Sequence, residues 1–149
     1  MLTSPKETGI ILYVNKALII WYSKRQNTVE SATFGSEFIA LKTAIDQIDG
    51  LRYKLRMFAI PLYGPTKVLC DNDAVVRNAT HSESTLRRKH TSIAYHSCHE
   101  AQAAGYVKIG FIEGRINPAD VLTNLLPGPK TRDLLLRLFY WNKKVPLGI

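Results

Sequence analysis

Three acids stand where a chain of this kind can do metal chemistry: Glu37, Asp71 and Asp120. Asp71 ends the short apolar run Val68-Leu69-Cys70, and Ala74-Val75-Val76 then restarts an apolar pattern with helical spacing. A carboxylate at the carboxyl end of a buried strand, with a helix following, sits where α/β sheets place their sites. Glu37 falls about 60° from Phe34 on a wheel stepping roughly 100° per residue, at the margin of a buried stripe. Asp120 follows Asn117-Pro118, a helix-start signature, just after the last strand pattern. Carboxylates from such places can meet at one end of a sheet, hold divalent ions, and use them to activate water and steady a leaving oxygen. Magnesium suits a hard oxygen shell and keeps several waters, so few protein ligands are required. Each acid also has a plainer reading. Asp71 or Asn72 suits the N-cap of the next helix, Glu37 a helix's surface edge, and Asp120 a first turn favoured by the helix dipole. The order of the three along the chain carries the weight.

The elements that must position them are legible in the pattern. Ile10–Val14 and Ala17–Tyr22 are β-rich runs around Asn15-Lys16, a tight hairpin turn because Asn tolerates positive φ. Ser23–Ser31 is polar and is expected as loop. From Thr33 the period changes, and Phe34, Phe38, Leu41, Ile45, Ile48 and Leu55 mark one stripe of a long amphipathic helix running to about Phe58. Pro61, Gly64 and Pro65 break the chain before a strand over Val68–Cys70. A short helix follows over about Asp73–Ala79, then a polar loop, then a second long helix from Leu86 to about Ala104, stopped by Gly105. Tyr106–Ile112 alternates as the last strand, and Thr131–Trp141 is an apolar terminal helix. The order predicts an α/β layer with a mixed sheet, a hairpin at one edge and helical crossovers beyond it.

Composition bounds the function. A chain of 149 residues, 46% hydrophobic and 21% charged, suits one globular domain and excludes wholesale disorder. The formal net charge of +8 favours a polyanionic partner. Leu86-Arg87-Arg88-Lys89-His90 is the densest positive run, and Arg87, Arg88 and Lys89 with Lys24 and Arg25 are the candidate phosphate-backbone contacts, sequence-tolerant and salt-sensitive. Two cysteines in apolar settings, no signal peptide and no membrane-length apolar run point to a reduced intracellular protein with no membrane partner. His96 and His99, with Cys98 between them, offer a zinc alternative, but no second Cys or His pair stands at zinc-ribbon spacing.

The succession Trp21-Tyr22-Ser23-Lys24-Arg25-Gln26, Ser36-Glu37-Phe38-Ile39-Ala40-Leu41, Leu69-Cys70-Asp71-Asn72, Lys89-His90 with Tyr95-His96, and Pro118-Ala119-Asp120-Val121-Leu122-Thr123 resembles the ribonuclease H domain of copia-type retrotransposon polyproteins. The resemblance runs from about Thr8 to Leu126, so it implies a ribonuclease H-like domain over 1–127 and leaves 128–149 as a C-terminal helical extension. It implies that acids matching Glu37, Asp71 and Asp120 hold two Mg²⁺ (or Mn²⁺) ions that hydrolyse the RNA strand of an RNA–DNA hybrid. It also implies a polyprotein context, with a reverse transcriptase domain as partner.

The family's fold opens with a central strand carrying a first catalytic aspartate, and Met1–Glu7 holds no aspartate and no strand-like run. Glu7, in a Pro5-Lys6-Glu7-Thr8 setting that reads as a turn, is the only acid there. The resemblance therefore implies an incomplete ligand set and a rate lowered by orders of magnitude. The alternative is a non-catalytic nucleic-acid-binding or structural remnant. Glu113, Arg115 and Asn117 stand where cellular ribonucleases H place a histidine, so no histidine role carries over. Asp73, beside Asp71, suits the following helix's first turn.

Overall fold

A computed structural model describes residues 7–26, 33–81, 92–123 and 127–139. Arg87, Arg88, Lys89 and His90 lie outside these, as does the start expected for the second long helix. Strand β1 (Glu7–Val14) and strand β2 (Ala17–Arg25) pair antiparallel from Glu7 opposite Arg25 to Val14 opposite Ala17, with a register shift at Leu12/Tyr13. Asn15 takes φ 55° in the two-residue turn between them, a conformation that Asn tolerates better than most side chains.

The ladder is longer than the hydrophobic pattern suggests. Glu7–Gly9 and Ser23–Arg25 are strand, not turn and loop, because backbone pairing does not require apolar side chains where an end faces water. Side chains fasten that end. Ser23 Oγ donates to the Leu122 carbonyl at 2.9 Å, and Gln26 Nε2 donates to Thr8 Oγ1 at 2.7 Å and to the Ser36 carbonyl at 2.9 Å.

Helix α1 (Thr33–Met57) buries Phe38, Leu41, Ile45 and Ile48, spaced three or four residues apart as one stripe. It ends on Ala59 at φ 57°, with the Ile60 amide returning to the Leu55 carbonyl at 3.0 Å. Strand β3 (Thr66–Cys70) and strand β4 (Val107–Phe111) pair in parallel, Thr66 opposite Val107 through Cys70 opposite Phe111. Between them come helix α2 (Asp73–Thr80) and helix α3 (Ser92–Ala103), the covered crossover that a parallel pair demands. Gly105, at φ 77°, turns the chain after α3 into β4.

Buried residues of β1, α1, β3, α2, α3 and β4 form one core, in which the Phe38 and Tyr95 rings lie 6.0 Å apart. The result is α/β, with two two-stranded sheets sharing that core. Among the described residues no hydrogen-bonded ladder joins β1 to β3.

After β4 the chain makes a three-residue 3-10 turn, Gly114–Ile116, and a 3-10 helix, Pro118–Leu122. Asn117 caps the second, its Oδ1 accepting from the Ala119 amide at 3.1 Å, with Pro118 in the first turn. The start expected at Asn117 is therefore real, but the segment winds more tightly than an α-helix and stops within five residues. It packs on the outer face of β1 at Gly9. A Cβ there would stand 2.6 Å from Thr123 Cγ2 and 2.9 Å from the Ala119 carbonyl oxygen, so only glycine permits the approach. Helix α4 (Gly128–Phe139) packs against this 3-10 helix, with Leu134 fully buried. No helix among the described residues is long and apolar enough to cross a membrane.

Candidate metal centre

Asp71 is the first residue past β3, and the geometry there separates its two plausible roles. Asn72, not Asp71, caps α2: its Oδ1 accepts from the Val75 amide at 3.3 Å from an extended backbone, φ −104° and ψ 101°. Asp73 takes the first turn and pairs with Arg77 at 2.6 Å on the exposed surface. Relieved of capping, the Asp71 carboxylate turns to the segment after β4, where Asn117 Nδ2 donates to Oδ2 at 3.1 Å. One Asn117 amide thus caps the 3-10 helix through its oxygen and holds Asp71 through its nitrogen.

Glu37 reaches the same place from α1. It lies between Ser36 and Phe38, both buried, and is itself half-buried, as expected at the margin of the stripe. Gln26 grips the Ser36 carbonyl and thereby ties this part of the helix to β1. One carboxylate oxygen each from Glu37 and Asp71 lie within 4.8 Å of one another and of Cys70 Sγ, the three residues all half-buried.

Asp120 completes the gathering from the 3-10 helix. Its carboxyl is raised above the ordinary carboxylate range, chiefly by desolvation and next by the charge of Asp71 beside it. Lys130, with Nζ 3.9 Å from Oδ2, opposes that rise. Asp71 thus stands between two neighbours, Glu37 from α1 within 4.8 Å and Asp120 from the 3-10 helix beside it. A carboxyl whose ionisation a neighbouring carboxylate opposes is relieved by a cation beside it, and oxygen donors of this type fit Mg²⁺ or Mn²⁺.

Two participants escaped sequence reasoning. Asn117 reads as a cap, and nothing in the local pattern signals its second bond across 46 residues. Cys70 reads as the last apolar residue of a strand, yet its thiol joins the carboxylates; burial, then Glu37 and Asp71, push it up to about 11 against the opposing Asn72 amide. The remaining candidates lie elsewhere. Lys24 and Arg25 are exposed at the end of β2, next to the Gly9–Ser23 pair on which the 3-10 helix sits. Glu7 is exposed at the start of β1, opposite Arg25. His99 Nε2 contacts the Asn78 carbonyl at 2.8 Å with its ring 4.3 Å from Tyr95, Cys98 is fully buried, and His96 is exposed with its ring edge-on to Tyr95 at 5.4 Å.

The chain is similar to retrovirus-related Pol polyproteins of plant transposons. It is 28% identical over 123 residues to that of transposon TNT 1-94 from Nicotiana tabacum, which covers 83% of this chain and 9% of the relative. It is 25% and 24% identical over 118 residues to those of transposons RE1 and RE2 from Arabidopsis thaliana, 79% of this chain and 8% of each relative. The chain spans less than a tenth of the length of these curated relatives. No protein-family model and no solved structure matches it. The similarity supports a retrotransposon-derived domain.

Proposed function

We propose that this domain is a ribonuclease H-type nuclease of retroelement origin, hydrolysing the RNA strand of RNA–DNA hybrids with divalent metal ions. The observation that carries the reading is the placement of Asp71, with Glu37 on one side and Asp120 on the other, while Asn72 takes over the capping that would otherwise explain Asp71. These three side chains would hold Mg²⁺ or Mn²⁺. When bound, such ions supply an activated water as nucleophile and charge compensation at the leaving oxygen.

The chain's own groups do the positioning. Asn117 orients Asp71, Gln26 fixes the start of α1 and hence Glu37, and Gly9 lets the segment bearing Asp120 approach the sheet. Lys24 and Arg25, exposed beside that segment, would meet phosphates of the hybrid, and groove shape and 2′-hydroxyls would be read rather than base edges. A reverse transcriptase domain of the same polyprotein is the partner that would deliver the hybrid.

The carboxylate set accounts for three ligands, so turnover by this chain alone should be slow. The test is cleavage of an end-labelled RNA–DNA hybrid in Mg²⁺ or Mn²⁺, with duplex DNA and single-stranded RNA as controls. Slow cleavage of the hybrid's RNA strand, reduced about 100-fold or more by Asp71→Asn, is the expected result. Cleavage insensitive to Asp71→Asn would remove the reading. Hybrid binding without any cleavage would leave the domain a non-catalytic binding module.

A further inference from the structure

The proposed centre contains one donor that phosphodiester hydrolysis does not require, the Cys70 thiol. Cys70 is the last residue of β3, and its Sγ shares a 4.8 Å neighbourhood with one oxygen each of Glu37 and Asp71. Asp120 stands beside Asp71 but outside that neighbourhood. The chain's other cysteine, Cys98, offers the contrast: it is fully buried in the core on α3 and belongs to no such cluster among the described residues.

Oxygen donors alone favour hard cations, whereas a set that includes sulfur favours borderline or soft ones such as Zn²⁺ and Cd²⁺, which accept four ligands of mixed type. We infer that Cys70 makes this a mixed carboxylate–thiolate centre that takes Zn²⁺ or Cd²⁺ more tightly than Mg²⁺. Its regulatory meaning, exclusion of the hard ion and arrest of hydrolysis, rests on the nuclease reading above; the coordination itself does not. Binding forms a metal–sulfur bond and releases the thiol proton to solvent, with nothing oxidised or reduced. Mg²⁺ would be held by carboxylates without the sulfur.

The experiment titrates the full chain, under reducing conditions, with Cd²⁺ alone and follows the ultraviolet cadmium–thiolate charge-transfer absorption. One equivalent should saturate the band in the parent and in Cys98→Ser, and Cys70→Ser should abolish it. Glu37→Gln and Asp71→Asn keep the thiol and leave β3 unaltered, and each should weaken binding about tenfold or more. A band that persists in Cys70→Ser, vanishes in Cys98→Ser, or ignores both carboxylate variants would overturn the inference, as would the absence of any band in the parent. Hybrid cleavage in Mg²⁺ separates the two ideas. A cadmium band without cleavage sinks the nuclease and leaves the mixed centre standing, while cleavage without a band does the reverse.

Discussion

The two strand pairs divide the work of the molecule differently. The parallel pair, β3 with β4, carries the candidate ligands: Cys70 ends one strand, Asp71 follows it, and Asn117 comes shortly after the other. The hairpin, β1 with β2, adds no ligand to that cluster, yet its Gly9 is the seat on which the segment carrying Asp120 rests. The two pairs share one hydrophobic core without a backbone ladder between them among the described residues. Their alignment, and with it the distance from Asp120 to Asp71, is therefore set by side-chain packing and by the Gln26, Ser23 and Asn117 bonds. Carboxylates can be registered across a fold by its core, without a continuous sheet.

The sharpest way to break this comparison is to damage the shared core. Phe38→Ala removes a fully buried ring packed on Tyr95 and should cost about 3–5 kcal/mol. Urea unfolding followed by tryptophan fluorescence and by far-ultraviolet circular dichroism should give one coincident, weakened transition. Separate transitions would mean that hairpin and parallel pair are independent bodies. Next in size is the seat. Gly9→Ala forces a methyl against Thr123 and the Ala119 carbonyl and should cost roughly 1–3 kcal/mol. It should also shrink the thermal stabilisation gained from Mg²⁺, because the seat and Asp120 move together; an unchanged gain would uncouple them.

A smaller effect has the opposite sign. Folding favours the protonated form of Asp120, so its ionisation lowers stability as pH rises above the ordinary carboxylate range. Asp120→Asn should then gain roughly 0.5 kcal/mol at neutral pH without metal. The gain should disappear below about pH 3.5, where the group is protonated both folded and unfolded. Thermal melts of both proteins across pH test this, and Mg²⁺ should narrow the gap by stabilising the parent. The smallest change concerns the hairpin's open side. Trp21 is 66% exposed there, near a strand edge with no ladder partner among the described residues. Trp21→Lys should alter stability by less than about 0.5 kcal/mol. It should nevertheless reduce concentration-dependent association in sedimentation, since exposed edges and apolar patches invite self-pairing.

What the sequence revealed follows from how local each signal is. The Asn15-Lys16 turn, the Phe38–Ile48 stripe and the Gly105 stop are decided within a few residues, and all three appear where the pattern puts them. Strand ends were less legible. Ser23–Arg25 is polar because it faces water, and its strand character comes from a partner fourteen or more residues away. The Pro118–Leu122 segment has every mark of a helix start, but neither its 3-10 winding nor its seat on Gly9 is written in that local pattern. Among the site residues, the three acids are visible as types at strand and helix ends. The second half of the Asn117 bond and the turning of Cys70 toward carboxylates are not, since both depend on tertiary approach.

The double duty of Asn117 makes this position intolerant in a lopsided way. Aspartate there would preserve the hydrogen bond that starts the 3-10 helix, because that bond needs only an acceptor, but would set like against like at Asp71. Serine would also start the helix, yet falls short of the neighbour across the gap. A residue that looks exchangeable by every rule of helix beginnings is thus pinned by its nitrogen alone, and a drifting copy of this chain could keep its shape while losing its hold on Asp71.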